Sequence, residues 1–267
     1  MQTADLGVVG LGRMAQALLH PLLDARLVAP GAVAAAVASE ASASRLQSLP
    51  SLAGVAIGTE ATPAWSAPVV LLAVKPQQLE AVAAAAPPDA GGLLISVLAG
   101  VTVQRLERLF PRWHCVRAVP NTPALVRSGL TGLAWGQAVT AEERAWVRRL
   151  FDLVGEVLEL PEAQLDAFLA LTSSGPAFVA LVAEAMADGA VAAGLPRQQA
   201  HHLAQRTLAG TAALLEQQLL HPAQLKDMVS SPGGTTIAGL RQLERAGLRS
   251  ALIEAVVRAA ERSRELA

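Results

Sequence analysis

The chain has 267 residues, is 52% hydrophobic and carries a formal charge of −1, enough apolar material for one or two packed cores and no electrostatic case for nucleic acid or an anionic membrane. Its single cysteine, Cys115, excludes an intrachain disulfide, and neither it nor the five histidines form a metal-ligand spacing; with no tyrosine, a phenolic proton donor is excluded as well. The N-terminal residues show no basic region ahead of an apolar stretch, so a cytoplasmic protein without a signal peptide is expected.

Strand-like runs at residues 6–9, 33–39, 55–57, 69–74, 93–97 and 114–118 alternate with helix patterns at 14–25, 42–49, 77–85 and 103–109. This is the βαβ rhythm of a parallel sheet. The first strand leads into Gly7-Val-Val-Gly10-Leu11-Gly12-Arg13-Met14-Ala15, which fits G-x-G-x-x-A. Gly10 permits a tight turn, Gly12 lets the backbone approach a pyrophosphate, and Ala15 keeps helix and sheet close, while Arg13 and Met14 offer N–H groups. A last strand pair, 129–135 and 156–160, brackets a helix at 141–154, and strand signals stop after Pro161.

From there the pattern is helical, over 163–171, 176–193, 197–217, 222–228, 236–245 and 248–266, with Gly194-Leu195-Pro196 as a stop signal. These elements predict an α/β chain: a Rossmann-type dinucleotide-binding domain over 1–161, then an all-α domain over 162–267 for dimerisation and substrate binding. Several of the later helices are apolar around most of their circumference, more than a small bundle needs for its own core, which points to a second copy packed against them. The most apolar, 176–193, carries Glu184 and Asp188 one turn apart and reads as a core or interface helix, not a bilayer span.

Ser230-Ser231-Pro232-Gly233-Gly234-Thr235-Thr236 opens onto a further helix. Such a turn reads either as a surface turn with an N-capping threonine or as an anion site, in which backbone N–H groups and the helix dipole converge on a carboxylate or phosphate. The chain's only lysines are Lys75 and Lys226. Lys75 follows the fourth strand, where a dinucleotide crevice would open.

Taken in order, several segments resemble the pyrroline-5-carboxylate reductases. They are residues 7–15, Ala73-Val74-Lys75-Pro76, Ala99-Gly100-Val101-Thr102, Arg117-Ala-Val-Pro-Asn121-Thr-Pro-Ala124, Ser174-Gly-Pro176-Ala177, Ala187-Asp188-Gly189, Gly194-Leu-Pro196, and Leu225-Lys226-Asp227 running into the Gly-Gly-Thr-Thr turn. The resemblance implies hydride transfer from NADPH, with NADH as the alternative, to the C=N bond of 1-pyrroline-5-carboxylate, giving L-proline. It implies cofactor contacts from Gly10, Leu11, Gly12, Arg13, Met14, Ser39, Ala73, Val74, Lys75, Pro76, Ala99 and Asn121. Substrate contacts are implied from Glu162, Met228, Ser231, Gly233, Gly234, Thr235 and Thr236, with Thr236 beside the ring nitrogen as the catalytic hydroxyl. The implied partner is a second copy, in a dimer or a higher assembly of dimers whose helical domains interlock and whose substrate turn meets the other subunit's cofactor domain.

Three of these implications are open in the residues themselves. Glu162 equally suits the first turn of a helix, where an acid is favourable. Met228 stands where some relatives have asparagine. At the ribose position, Ser39 with Arg45 nearby suits a 2′-phosphate, whereas the Glu40 carboxylate would repel one if it faced the pocket. Two other functions fit the architecture: a β-hydroxyacid dehydrogenase, which needs a lysine on the central helix that 176–193 lacks, and a non-catalytic nicotinamide-nucleotide sensor, which has no use for an intact substrate turn.

Overall fold

The computed structural model describes residues 4–265. Among the described residues, eight strands form one sheet: β1 (Leu6–Val9), β2 (Val33–Ala36), β3 (Ala56–Gly58), β4 (Val69–Leu72), β5 (Gly92–Ser96), β6 (Trp113–Pro120), β7 (Gly129–Trp135) and β8 (Gly155–Glu159), ordered β3-β2-β1-β4-β5-β6-β7-β8. Helices α1 (Arg13–Asp24), α2 (Glu40–Gln47), α3 (Thr62–Trp65), α4 (Leu79–Ala84), α5 (Val103–Leu109) and α6 (Ala141–Asp152) connect them. The strand order reverses between β1 and β4, and ligands of open α/β sheets bind at such a switch.

Strand periodicity sorts the side chains between two cores. Leu6 and Val8 of β1, Leu71 of β4, and Leu93 and Ile95 of β5 pack under α1, α2 and α6. Val9, Val70, Leu72 and Leu94 face the opposite side with α3, α4 and α5, where Trp65 stacks on Phe110 at 5.5 Å and meets Trp113 edge-on at 5.6 Å. Both faces being covered explains why these strands read as continuous apolar runs. Cys115 is part of the second core; burial, and secondarily the Glu107 carboxylate, push its thiol up to about 12, so it packs as a neutral group.

The parallel sheet expected of the runs up to 114–118 holds from β3 to β6; beyond it β7 runs antiparallel to β6, with β8 parallel to β7. The connection over 121–128 holds only a 3-10 turn, Thr122–Val126, and is too short for the crossover that parallel neighbours require. The helix α3 has no counterpart among the expected elements; it is a single turn, below the length at which periodicity shows.

Thr140 and Glu143 form a capping box on α6, Thr140 N–H donating to Glu143 Oε2 at 2.8 Å, and His114 Nδ1 lies 2.8 Å from Glu143 Oε1. Partial burial works against the Glu143 carboxylate, but the hydrogen bonds from Thr140 and His114 prevail and hold its pKa below the usual value. A depressed folded-state value means stability present above the unfolded pKa and lost as pH falls through the folded one. Glu143→Gln, whose amide can still close the capping box but carries no charge, is therefore expected to cost about 0.3–1 kcal/mol at neutral pH and to flatten the fall of thermal stability on acidification below about pH 4.3. Thermal melts of both proteins across that range check it; identical acid profiles would remove the box from the pH response.

After β8 the chain forms α7 (Leu165–Thr172), α8 (Gly175–Ala192), α9 (Arg197–Gln217), α10 (Pro222–Met228), α11 (Thr235–Arg245) and α12 (Leu248–Glu265). The stretch Glu162–Ala192 is long and apolar enough to cross a membrane by length and composition. A turn at 173–174 divides it, and α7 packs on the sheet, with Leu165 buried against Val103, Val119 and Ala134. Tertiary contacts therefore divide the chain later than the loss of strand signal at Pro161: one compact unit runs to Ser173 and resumes at Ala259, and the other is Ser174–Arg258. Among the described residues of that second unit only Ala187, Ala200 and Ala204 are buried, whereas Val179, Leu181, Leu203, Met228 and Ile253 are exposed. A helical unit with three buried alanines has no adequate core of its own.

Candidate active site

A crevice of about 490 Å³ opens at the carboxyl ends of β1, β2, β3 and β4. Gly10, Leu11, Gly12, Ala73, Val74 and Lys75 line it, together with Ala38, Ser42, Arg45, Thr59 and Gln78. Gly10 has φ +93°, and a Cβ there would lie 2.8 Å from the Ala73 carbonyl, so a side chain would break the contact between the two strand ends. A Cβ on Gly12 would meet nothing within 4 Å, leaving the α1 N-terminus open to a ligand. No side chain caps that terminus, and its first N–H groups, at Arg13 and Met14, lie beyond intrahelical reach. An open, uncapped helix start behind a glycine turn fits the pyrophosphate of a dinucleotide.

The second expected site lies at the start of α11. Gly233 takes φ +68°, Gly234 N–H donates to the Ser231 carbonyl at 3.0 Å, and Gly234 is the residue preceding the helix. A Cβ at Gly234 would make the Ser231 hydroxyl turn away and would lie 3.2 Å from the Ser231 carbonyl oxygen, a tight contact at the close turn. The N–H groups of Thr235, Thr236 and Ile237 point out of the helix start without intrahelical acceptors. The Thr235 and Thr236 hydroxyls make no hydrogen bond among the described residues. Thr236 is half-buried and lines a groove of about 580 Å³ with Arg206, Thr207, Thr211, Lys226 and Leu240.

Two family models match the chain: pyrroline-5-carboxylate reductase dimerisation over residues 162–266, and NADP oxidoreductase, coenzyme F420-dependent, over residues 5–100. The pyrroline-5-carboxylate reductase of Synechocystis sp. is 45% identical, with 98% of each chain covered, and that of Methanosarcina acetivorans is 38% identical, with 100% of this chain and 99% of the relative covered. The chain belongs to the pyrroline-5-carboxylate reductase family. A solved structure of the Plasmodium falciparum pyrroline carboxylate reductase with NADP bound superposes with a TM-score of 0.88 at 27% identity, covering 100% of this chain and 99% of that one. The α/β architecture with a helical C-terminal part and the assignment to the oxidoreductases are thereby borne out.

Within this pyrroline-5-carboxylate reductase fold the expected site residues divide into three groups. Gly10 to Gly12 and Ala73 to Lys75 meet at the crevice, with Arg13 and Met14 starting α1 behind Gly12 and Pro76 following Lys75. Ser231, Gly233, Gly234, Thr235 and Thr236 meet at the turn, while Met228, 68% exposed, ends α10 before it. The others are not among the lining residues, and all but Ala99 have hydrogen-bond partners within the fold. Ser39 caps α2, its Oγ accepting the Ser42 N–H at 3.3 Å, and Glu40 accepts the Thr59 hydroxyl at 2.6 Å. Asn121 is buried, donating to the Thr172 carbonyl at 3.0 Å and accepting the Leu130 N–H at 2.8 Å. Glu162 accepts from Val103 N–H at 2.7 Å and Arg117 Nη1 at 3.2 Å. Ala99 is exposed in the loop after β5.

Sequence reading did not single out Thr59, Gln78 or Ser42 as crevice residues, nor Arg206 and Thr207 as neighbours of Thr236. Thr59 was within reach of a rule, because it directly follows β3 at the carboxyl edge where the sheet binds ligands. Arg206 and Thr207 lie mid-helix in α9, and only the tertiary fold brings them to one groove with residues of α10 and α11.

Proposed function

We propose that the chain reduces 1-pyrroline-5-carboxylate to L-proline and that NADPH is its preferred reductant. When bound, the cofactor supplies a hydride to the carbon of the ring C=N bond. The uncapped α1 terminus behind Gly10 and Gly12 holds the pyrophosphate, and Lys75 adds a cation at the end of β4. Arg45, lining the crevice beside Ser42, accepts the 2′-phosphate. Arg45 lines the crevice and Glu40 does not, although the Glu40 carboxylate accepts the hydroxyl of Thr59, which does.

The observation that carries the proposal is the start of α11: N–H groups without intrahelical acceptors and two hydroxyls with no hydrogen bond among the described residues, directly after a glycine pair. The N–H groups of Thr235 and Thr236 bind the substrate carboxylate, and the Thr236 hydroxyl orients the ring nitrogen. Threonine is too weak an acid to be the proton source, so solvent or an already protonated imine supplies that proton. Much of the acceleration then comes from holding imine and reductant in register. The active unit is a homodimer or an assembly of dimers, in which a second copy covers the apolar surface left open on 174–258.

Purified protein is expected to oxidise NADPH only when pyrroline-5-carboxylate is present, forming L-proline, with higher kcat/KM for NADPH than for NADH. Arg45→Ala should lower kcat/KM for NADPH by about 10-fold or more, as loss of a charge-assisted contact does, and leave NADH nearly unchanged. No turnover at saturation would overturn the activity; a preference for NADH would overturn the cofactor assignment.

A further inference from the structure

Arg117 lies on β6, 2% exposed, between two carboxylates that the proposed reaction does not use. Its Nη1 donates to Glu162 Oε1 at 3.2 Å and its Nη2 to Asp166 Oδ1 at 3.3 Å, while Ser263 Oγ donates to the same Asp166 oxygen at 2.8 Å. Glu162 Oε1 also receives the N–H of Val103, the first residue of α5, at 2.7 Å. One carboxylate therefore both neutralises a buried guanidinium and caps a helix contributed by a segment 59 residues earlier.

Val103 closes the loop 97–102, which leaves β5 at the carboxyl edge of the sheet. The loop is tied at its start by Val97 N–H on the Leu72 carbonyl at 3.0 Å, and at its end by the Thr102 cap on Arg105 N–H at 3.2 Å together with Glu162. Between these ties lie the exposed Ala99 and the buried Gly100, the latter with φ +71°. The crevice already spans the ends of β3, β2, β1 and β4. A dinucleotide entering from the β2 side continues along the same edge, and the next strand end is that of β5.

We infer that Glu162, held in place by Arg117, is a positioning residue: it fixes the 97–102 loop and thereby shapes the far, nicotinamide end of the cofactor crevice without touching the imine. The inference rests on the reading of this edge as a dinucleotide site. Asp166 and Ser263 hold the guanidinium from its other side, so its fork stays aimed at Glu162.

The test is NADPH binding without imine, followed by nicotinamide fluorescence, for the unmodified protein, Glu162→Ala and the nearly isosteric Glu162→Gln, with KM for each substrate measured alongside. Kd for NADPH should rise about 5- to 50-fold in Glu162→Ala and less in Glu162→Gln, whose amide oxygen can still accept from Val103, while KM for the imine stays within about twofold. Unchanged NADPH binding with a raised imine KM would overturn the inference and make Glu162 a substrate contact. A lowered Tm with neither affinity altered would also overturn it, leaving a purely structural staple. Failure of the unmodified protein to bind NADPH would instead remove the dinucleotide reading beneath it.

Discussion

Replacing Thr236 by alanine is expected to lower kcat by about 10- to 1,000-fold and to change KM for the imine much less, the pattern of an interaction that is stronger in the transition state than in the ground state. The substitution removes a hydroxyl with no partner among the described residues, so no internal hydrogen bond is lost. Alanine is a better helix former than threonine, so α11 should keep its first turn and the N–H groups that bind the carboxylate. The ring nitrogen, however, loses the group that orients it as it gains a proton. Thr236→Ser keeps a hydroxyl at the same carbon and should recover most of the rate. Steady-state kinetics on the three proteins decide the matter: an unchanged kcat in Thr236→Ala would show the hydroxyl to be dispensable.

Charging the outer face of α8 should have a comparably large effect through a different route. Leu181 is 66% exposed in the single chain, and Ala185, one turn later, is exposed as well. Leaving such a face in water costs about 25 cal/mol for each Å² that a second copy would cover. In Leu181→Glu with Ala185→Arg the new charges stand at i and i+4 in the favourable order, which supports the isolated helix. A loss of activity in this variant, where its helical content is kept, is then a loss of association. It should elute and scatter as a monomer, or fold poorly, and turn over the imine at a small fraction of the normal rate. A monomeric, fully active unmodified protein at assay concentration would overturn the dimer as the active unit.

The two glycine turns are legible in the amino-acid sequence because their signals are local. Gly10-Leu11-Gly12 between an apolar strand and an apolar helix, and Gly233-Gly234-Thr235-Thr236 ahead of another, each need only a few neighbouring residues to form. The strands β1 to β7 are likewise readable from their apolar residues, since burial on one or both faces leaves its mark in the pattern, whereas β8, Gly-Glu-Val-Leu-Glu, has no buried residue and shows only a short apolar pair between two acids.

The tertiary structure decided what depends on distant segments. The direction of β7 follows from the short connection over 121–128, which no apolar period records. Asn121 looks like a polar residue available to a ligand until β7 and α7 close around it, and its amide meets Leu130 and Thr172. Glu162 suits both a substrate site and a helix start in the sequence; its partners, Arg117 and Val103, reach it only when β6 and α5 are in place. The sequence by itself determined the elements, the two anion-binding turns and the family. Folding decided which polar groups those turns keep free and which the interior consumes, because a buried donor or acceptor must find its partner wherever the chain brings one.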